Sequence, residues 1–123
     1  MSSNASNPSP LYLPPPGIEL KSRDVNIADV NPVLHSFLVV AGLVHLHLFD
    51  ERLVVTSGKD SVHSANSKHY KGEAVDLRIA DLDPFFWAAF LLYLGVLARR
   101  FHLAIFDESN VPGAGHVHVE IAG

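Results

Sequence analysis

Apolar residues recur at helical spacing from Asn26 to about Val44, at Ile27, Val30, Leu34, Leu38 and Ala41. This predicts a first helix, with Gly42 helping to end it. Arg52 to Thr56 is a short β-branched run and reads as a buried strand. Ser57 to Lys71 is polar and lacks a helical period, so it reads as a loop. Glu73 to Ile79 then alternates, with Ala74, Asp76 and Arg78 on one face and Val75, Leu77 and Ile79 on the other. Asp83 and Pro84 supply the cap and first position of a second helix. That helix runs to about Arg100, where basic side chains meet the negative end of the helix dipole. His102 to Phe106 reads as a strand, Asp107 to Gly115 as a turn-rich loop, and His116 to Ile121 as a last strand. The order, without internal repeats, predicts an α+β fold whose helices pack on one side of a small antiparallel sheet.

The ends change this picture little. Residues 1–17, rich in Ser, Asn and Pro, read as a flexible arm, which leaves 18–123 as the domain. The N-terminus has neither a basic n-region nor an apolar h-region, so no secretory signal is expected. Phe85 to Ala98 is the longest uncharged apolar stretch, shorter than the ~20 residues a bilayer needs, and reads as a core helix. The expectation is a soluble chain with no integral membrane segment. Because residues 85–98 are apolar nearly all round, part of that helix is free to face a partner subunit in a homo-oligomer. A net charge of −4, with nine scattered Lys and Arg, offers nothing to nucleic acid.

Cysteine is absent, so disulfides and thiolate metal sites are excluded. Any metal must be held by histidine and carboxylate, and eight histidines are available. Two segments stand out. In Ser67 to Asp76, His69 ends a loop, Gly72 permits a tight turn, and Asp76 lies inside the next strand. In Gly115 to Glu120, His116 and His118 share one strand face. A carboxylate between Val and Leu in a strand needs a cation or several donors. If the two strands are neighbours, Asp76 and His118 meet across them and His69 closes the triangle. Two histidines and one carboxylate with an open fourth position is the pattern of a catalytic zinc site, at one ion per chain.

The string S-x-H-x-x-G-x-A-x-D, followed by H-V-E in the last strand, resembles the zinc D-Ala-D-Ala peptidases and L-alanyl-D-glutamate endolysins. Their superfamily also holds lysostaphin-type peptidases and the hedgehog signalling domain. Val55 to Gly58 resembles the strand of that family that ends in T-S-G, so the likeness covers about residues 53–121. The resemblance implies a hedgehog/D-Ala-D-Ala peptidase-like fold, zinc on His69, Asp76 and His118, and cleavage of a peptide bond in peptidoglycan stem peptides. His116, the first histidine of H-x-H, is implied to line the site as a donor to the oxyanion. His63 matches an earlier cleft histidine of the hedgehog version, although a solvated loop histidine fits it almost as well. Lys59 and Asp60 stand where family peptidases carry an aromatic residue and a substrate-gripping Arg. Gly115 stands where many carry the acidic base. Asp107 to Ser109 resembles the segment with the hedgehog-domain glutamate, which makes Glu108 the candidate base and Asp107 the second choice. Those departures keep a second reading open, a zinc-containing binding module of the same fold with impaired catalysis. His45 and His47 form another H-x-H between leucines and read as surface or packing residues.

Overall fold

The first helix, α1 (Pro32–Phe49), starts later and ends later than its periodicity predicts. The Asn31 side chain accepts from the Val33 N–H, and Pro32 takes the first helical position. Upstream, Asn26 accepts from the Asp29 N–H and donates to its carboxylate, holding a turn rather than a helix. Val25, Ile27 and Val30 are nevertheless buried, so the apolar spacing there belongs to a packed loop. At the other end the helix stops at Asp50, in the left-handed region with φ 56°, and not at Gly42. The computed structural model describes residues 12–59, 68–69, 71–79, 83–108 and 115–122.

Within these residues there are two helices and five strands. The strands are β1 (Ile18–Leu20), β2 (Leu53–Ser57), β3 (Ala74–Arg78), β4 (Leu103–Asp107) and β5 (His116–Ile121). The second helix, α2 (Pro84–Arg100), is capped by Asp83 as its sequence predicts. The fold is mixed α+β, with one sheet in the order β1-β2-β3-β5-β4. Three pairings are antiparallel, as expected, but β1 joins β2 in parallel, so the sheet is mixed. Three residues are too few for a periodic signal, and β1 is therefore not legible in the sequence. Helix α1 packs over β1 and β2, and α2 over β4. Val75 and Leu77 of β3 and Val117 and Val119 of β5 are fully buried in one core with Phe37, Leu38, Phe90 and Leu94 of the helices. Burying each such side chain contributes about 1.5–3 kcal/mol.

By length and composition α1 could cross a membrane, with a mean hydropathy of 1.7 and no Asp, Glu, Lys or Arg among its residues. Its histidines interrupt the apolar run, so the sequence predicts this helix without singling it out by length and apolarity. In the structure its face of Leu34, Phe37, Leu38 and Ala41 is buried in the core.

Tyr12 and Gly17, assigned to the flexible arm, rest on the fold, while Leu13 between them is exposed. Tyr12 packs on the core with its hydroxyl 3.1 Å from His35 Nε2, and the Gly17 carbonyl accepts from the Leu53 N–H. A Cβ on Gly17 would lie 2.2 Å from the Gly42 carbonyl carbon. Backbone on both sides would have to move, so Gly17→Ala should destabilise the fold by about 1–3 kcal/mol. Thermal melts should show a fall of roughly 5–15 °C. An unchanged melting temperature would show that this segment does not rest on α1 in solution.

Candidate metal centre

Asp76 points away from the core because its neighbours Val75 and Leu77 point into it, and the register sets His118 of β5 directly opposite. His118 Nδ1 lies 2.8 Å from Asp76 Oδ1. His69 comes from the turn before β3. There the Gly72 N–H donates to the His69 carbonyl at 3.0 Å, and Gly72 adopts φ 73°, open to glycine with little strain. The Lys68 ammonium donates to the Ile121 carbonyl at 2.6 Å and ties this turn to β5. His69 Nε2 thereby reaches 3.2 Å from Asp76 Oδ2, and its ring centroid sits 5.1 Å from that of His118.

The second nitrogen of each histidine is also engaged. His69 Nδ1 lies 3.1 Å from the Gly58 carbonyl and 3.4 Å from Ser57 Oγ, just beyond the irregularity in β2 that sets Ser57 opposite Asp76. His118 Nε2 donates to Glu120 Oε1 at 2.9 Å, and the other Glu120 oxygen lies 3.6 Å from the Lys68 ammonium. Such outer partners fix ring orientation and tautomer at metal sites. Glu120 stands two residues after His118 on the same strand face, so its place beside that ring follows from the alternation. The Gly58 carbonyl carries no signal in the sequence.

His116 and Glu108 meet as a pair, with Nε2 donating to Oε1 at 2.6 Å. The Glu108 N–H donates to the His116 carbonyl, which extends the β4–β5 ladder by one residue and places this side chain on the site face. His116 Nε2 is 4.0 Å from Asp76 Oδ1, so the pair borders the centre. Asp76 therefore belongs to two groups with ligand atoms within 4.8 Å of one another, His69/Asp76/His118 and Asp76/Glu108/His116. Side-chain exposure separates them: 8% at His69, 15% at Asp76 and 18% at His118, against 41% at Glu108. The first group is the deeper and the better braced. Asp107 is exposed at the end of β4. His63 lies outside the described residues. His45 is a packing residue, buried against Phe49 and Phe90 with Nδ1 2.7 Å from the Glu51 carbonyl oxygen.

The electrostatics follow from the contacts. Burial pushes the Asp76 carboxyl up, but hydrogen bonds from His118 and His69 outweigh it and hold the group well below the usual carboxylate range. The hydrogen bond to Asp76 raises His118 to about 8, opposed by burial and aided by Glu120. Both His118 nitrogens face carboxylates, an arrangement that an imidazolium satisfies and a neutral ring does not. Metal would have to displace the Nδ1 proton, so affinity should rise with pH towards about 8. The metal-free fold behaves oppositely. The His118–Asp76 contribution is fully present below the unfolded value of 6.5 and is lost as pH rises through about 8. If a divalent metal binds here, the rise in melting temperature it gives should therefore grow between pH 6 and pH 8, and calorimetry in buffers of different ionisation enthalpy should show proton release at pH 7. A thermal shift independent of pH would exclude His118 as a ligand.

No protein-family model matches the chain, and no curated protein matches it.

Proposed function

We propose that this chain is a zinc peptidase that hydrolyses a peptide bond in peptidoglycan stem peptides, as a D,D-carboxypeptidase or an endopeptidase. One observation carries the reading: His69, Asp76 and His118 converge on one point while the remaining nitrogen of each histidine is held by the protein. Two imidazoles and a carboxylate without thiolates suit zinc and leave a fourth position for water or substrate. The peptidoglycan substrate rests on the likeness of Ser67–Asp76 and His116–Glu120 to the D-Ala-D-Ala peptidase and endolysin motifs.

Bound zinc would supply Lewis acidity to the scissile carbonyl and to an attacking water. Glu108 stands at the mouth of the centre, half in solvent, where its carboxylate takes the proton of that water and passes it to the leaving amine. His116 donates to Glu108 in the resting site. Once Glu108 carries the proton its hold on His116 weakens, and the Nε2–H can turn to the developing oxyanion. Asp76 stays ionised throughout, which its depressed pKa favours.

The test is elemental analysis of the purified chain, with mass spectrometry of peptidoglycan digested with and without chelator. About one zinc per chain and chelator-sensitive release of a single peptide product are expected. Stoichiometric zinc without turnover would favour the binding module with impaired catalysis. Absence of zinc would end both readings.

A further inference from the structure

Helix α2 buries one face and leaves the opposite one apolar. Phe90, Leu94, Leu97 and Ala98 go into the core. Phe85, Ala89, Leu92, Val96 and Arg99 are all exposed, with Phe85 at 77%, Leu92 at 75% and Val96 at 68%. Their spacing alternates four and three, the seam of a coiled coil. A second copy running antiparallel, centred on Leu92, would place Leu92 on its own mate, Ala88 beside Val96, and Phe85 beneath Arg99 of the other copy.

Three features favour that occupant. First, Gly95 has nothing within 4 Å of where a Cβ would sit, and Ala88 and Ala89 are small, so another backbone can approach closely. A shallow groove of about 450 Å³ between Trp87, Leu91 and Gly95 offers a hole for a Leu92 knob. Second, the face is charged at its ends with opposite signs, Asp83 at the N-terminal cap and Arg99 and Arg100 in the last turn. Antiparallel pairing brings unlike ends together and opposes the two helix dipoles favourably. Third, this pairing would set Arg99 over the exposed Phe85 ring, a cation–π pair made twice, once for each two-fold mate. A lipid surface would meet the acidic cap as well as the basic end and would not use the four-three spacing.

We propose that the outward face of α2 is a two-fold, antiparallel dimer interface between copies of this chain. A single helix pair about 25 Å long lies at the small end of specific interfaces, so the dimer exchanges with monomer in the micromolar range. Sedimentation of the full chain from about 1 to 200 μM should show a concentration-dependent dimer, and Leu92→Lys should weaken it about tenfold or more by setting like charges together on the two-fold. Leu92 is exposed, so the variant should keep its circular dichroism and melting temperature.

Because the chain has no cysteine, oxidative cross-linking reads direction and register. Leu92→Cys should form a disulfide dimer, and a mixture of Ala88→Cys with Val96→Cys should form a mixed one. Ala88→Cys alone should not, since its mate would lie ~12 Å away along the axis, beyond disulfide reach. Efficient cross-linking of Ala88→Cys alone would overturn the antiparallel arrangement. A monomer at every concentration would overturn the interface itself, as would a dimer indifferent to Leu92→Lys, or a monomer that binds vesicles through this face.

Discussion

On the zinc reading proposed above, replacing His69, Asp76 or His118 by alanine should lower zinc from about one per chain to near zero and abolish the thermal stabilisation that added zinc gives. At zinc concentrations about 100 times the dissociation constant, that stabilisation is ~2.7 kcal/mol, or roughly 10–20 °C in a domain of this size. The reason is geometric. Each of the three ligand atoms lies within 4.8 Å of the others, so removing one leaves two ligands for an ion that needs three from the protein. Asp76→Ala should cost the metal-free fold as well, because the carboxylate receives both His69 and His118. Glu120→Ala leaves the ligand set intact but releases the His118 ring, and should weaken zinc by roughly 10–100-fold. Elemental analysis and calorimetric titration measure these directly. Zinc retained by His118→Ala but lost from His116→Ala would move the ion to the shallower group of Asp76, Glu108 and His116.

If the proposed peptidase reading holds, Glu108→Gln should keep the zinc and lower turnover of a stem-peptide substrate by about 10²–10⁴-fold, the usual share of a general base. The amide preserves shape and can still contact His116, so its loss of activity isolates the proton transfer from packing. His116→Ala should keep zinc, keep its melting temperature within about 0.5 kcal/mol of stability, and lose roughly 10²–10³-fold in kcat with a smaller change in KM. The two residues touch, so their effects should not add. A double variant about as slow as the slower single one would indicate one coupled unit. Single variants with full activity would remove both from the reaction.

Asp76, His116 and His118 are readable because they sit on alternating strands, whereas His69 comes from the turn before β3. In β5, His116-Val117-His118-Val119-Glu120 sorts itself into a buried valine face and a polar face by period two alone. Asp83-Pro84 was equally plain as a helix start. What escaped depended on the third dimension. The apolar spacing at Ile27 and Val30 mimics a helix, but the helix begins only at Pro32 and those side chains serve a packed loop. The parallel strand β1 is three residues long. The direct bond between His116 and Glu108 was hidden because the two residues, assigned separate roles, are joined by the β4–β5 register and not by any spacing in the chain.

Beta-strand parity in β3 and β5 has an evolutionary consequence. Consecutive residues of the same strand answer to different selection: Val75 and Leu77 to folding, Asp76 to the candidate metal centre. Point substitutions on the polar face can therefore alter the candidate metal centre while the packed apolar side stays untouched. Insertions and deletions have no such freedom. One residue added to β5 before His118 would exchange the two faces at a stroke, burying histidines and exposing valines. Lineages descended from this sequence should thus diversify by substitution within β3 and β5, and by changes of length only in the loops beyond them.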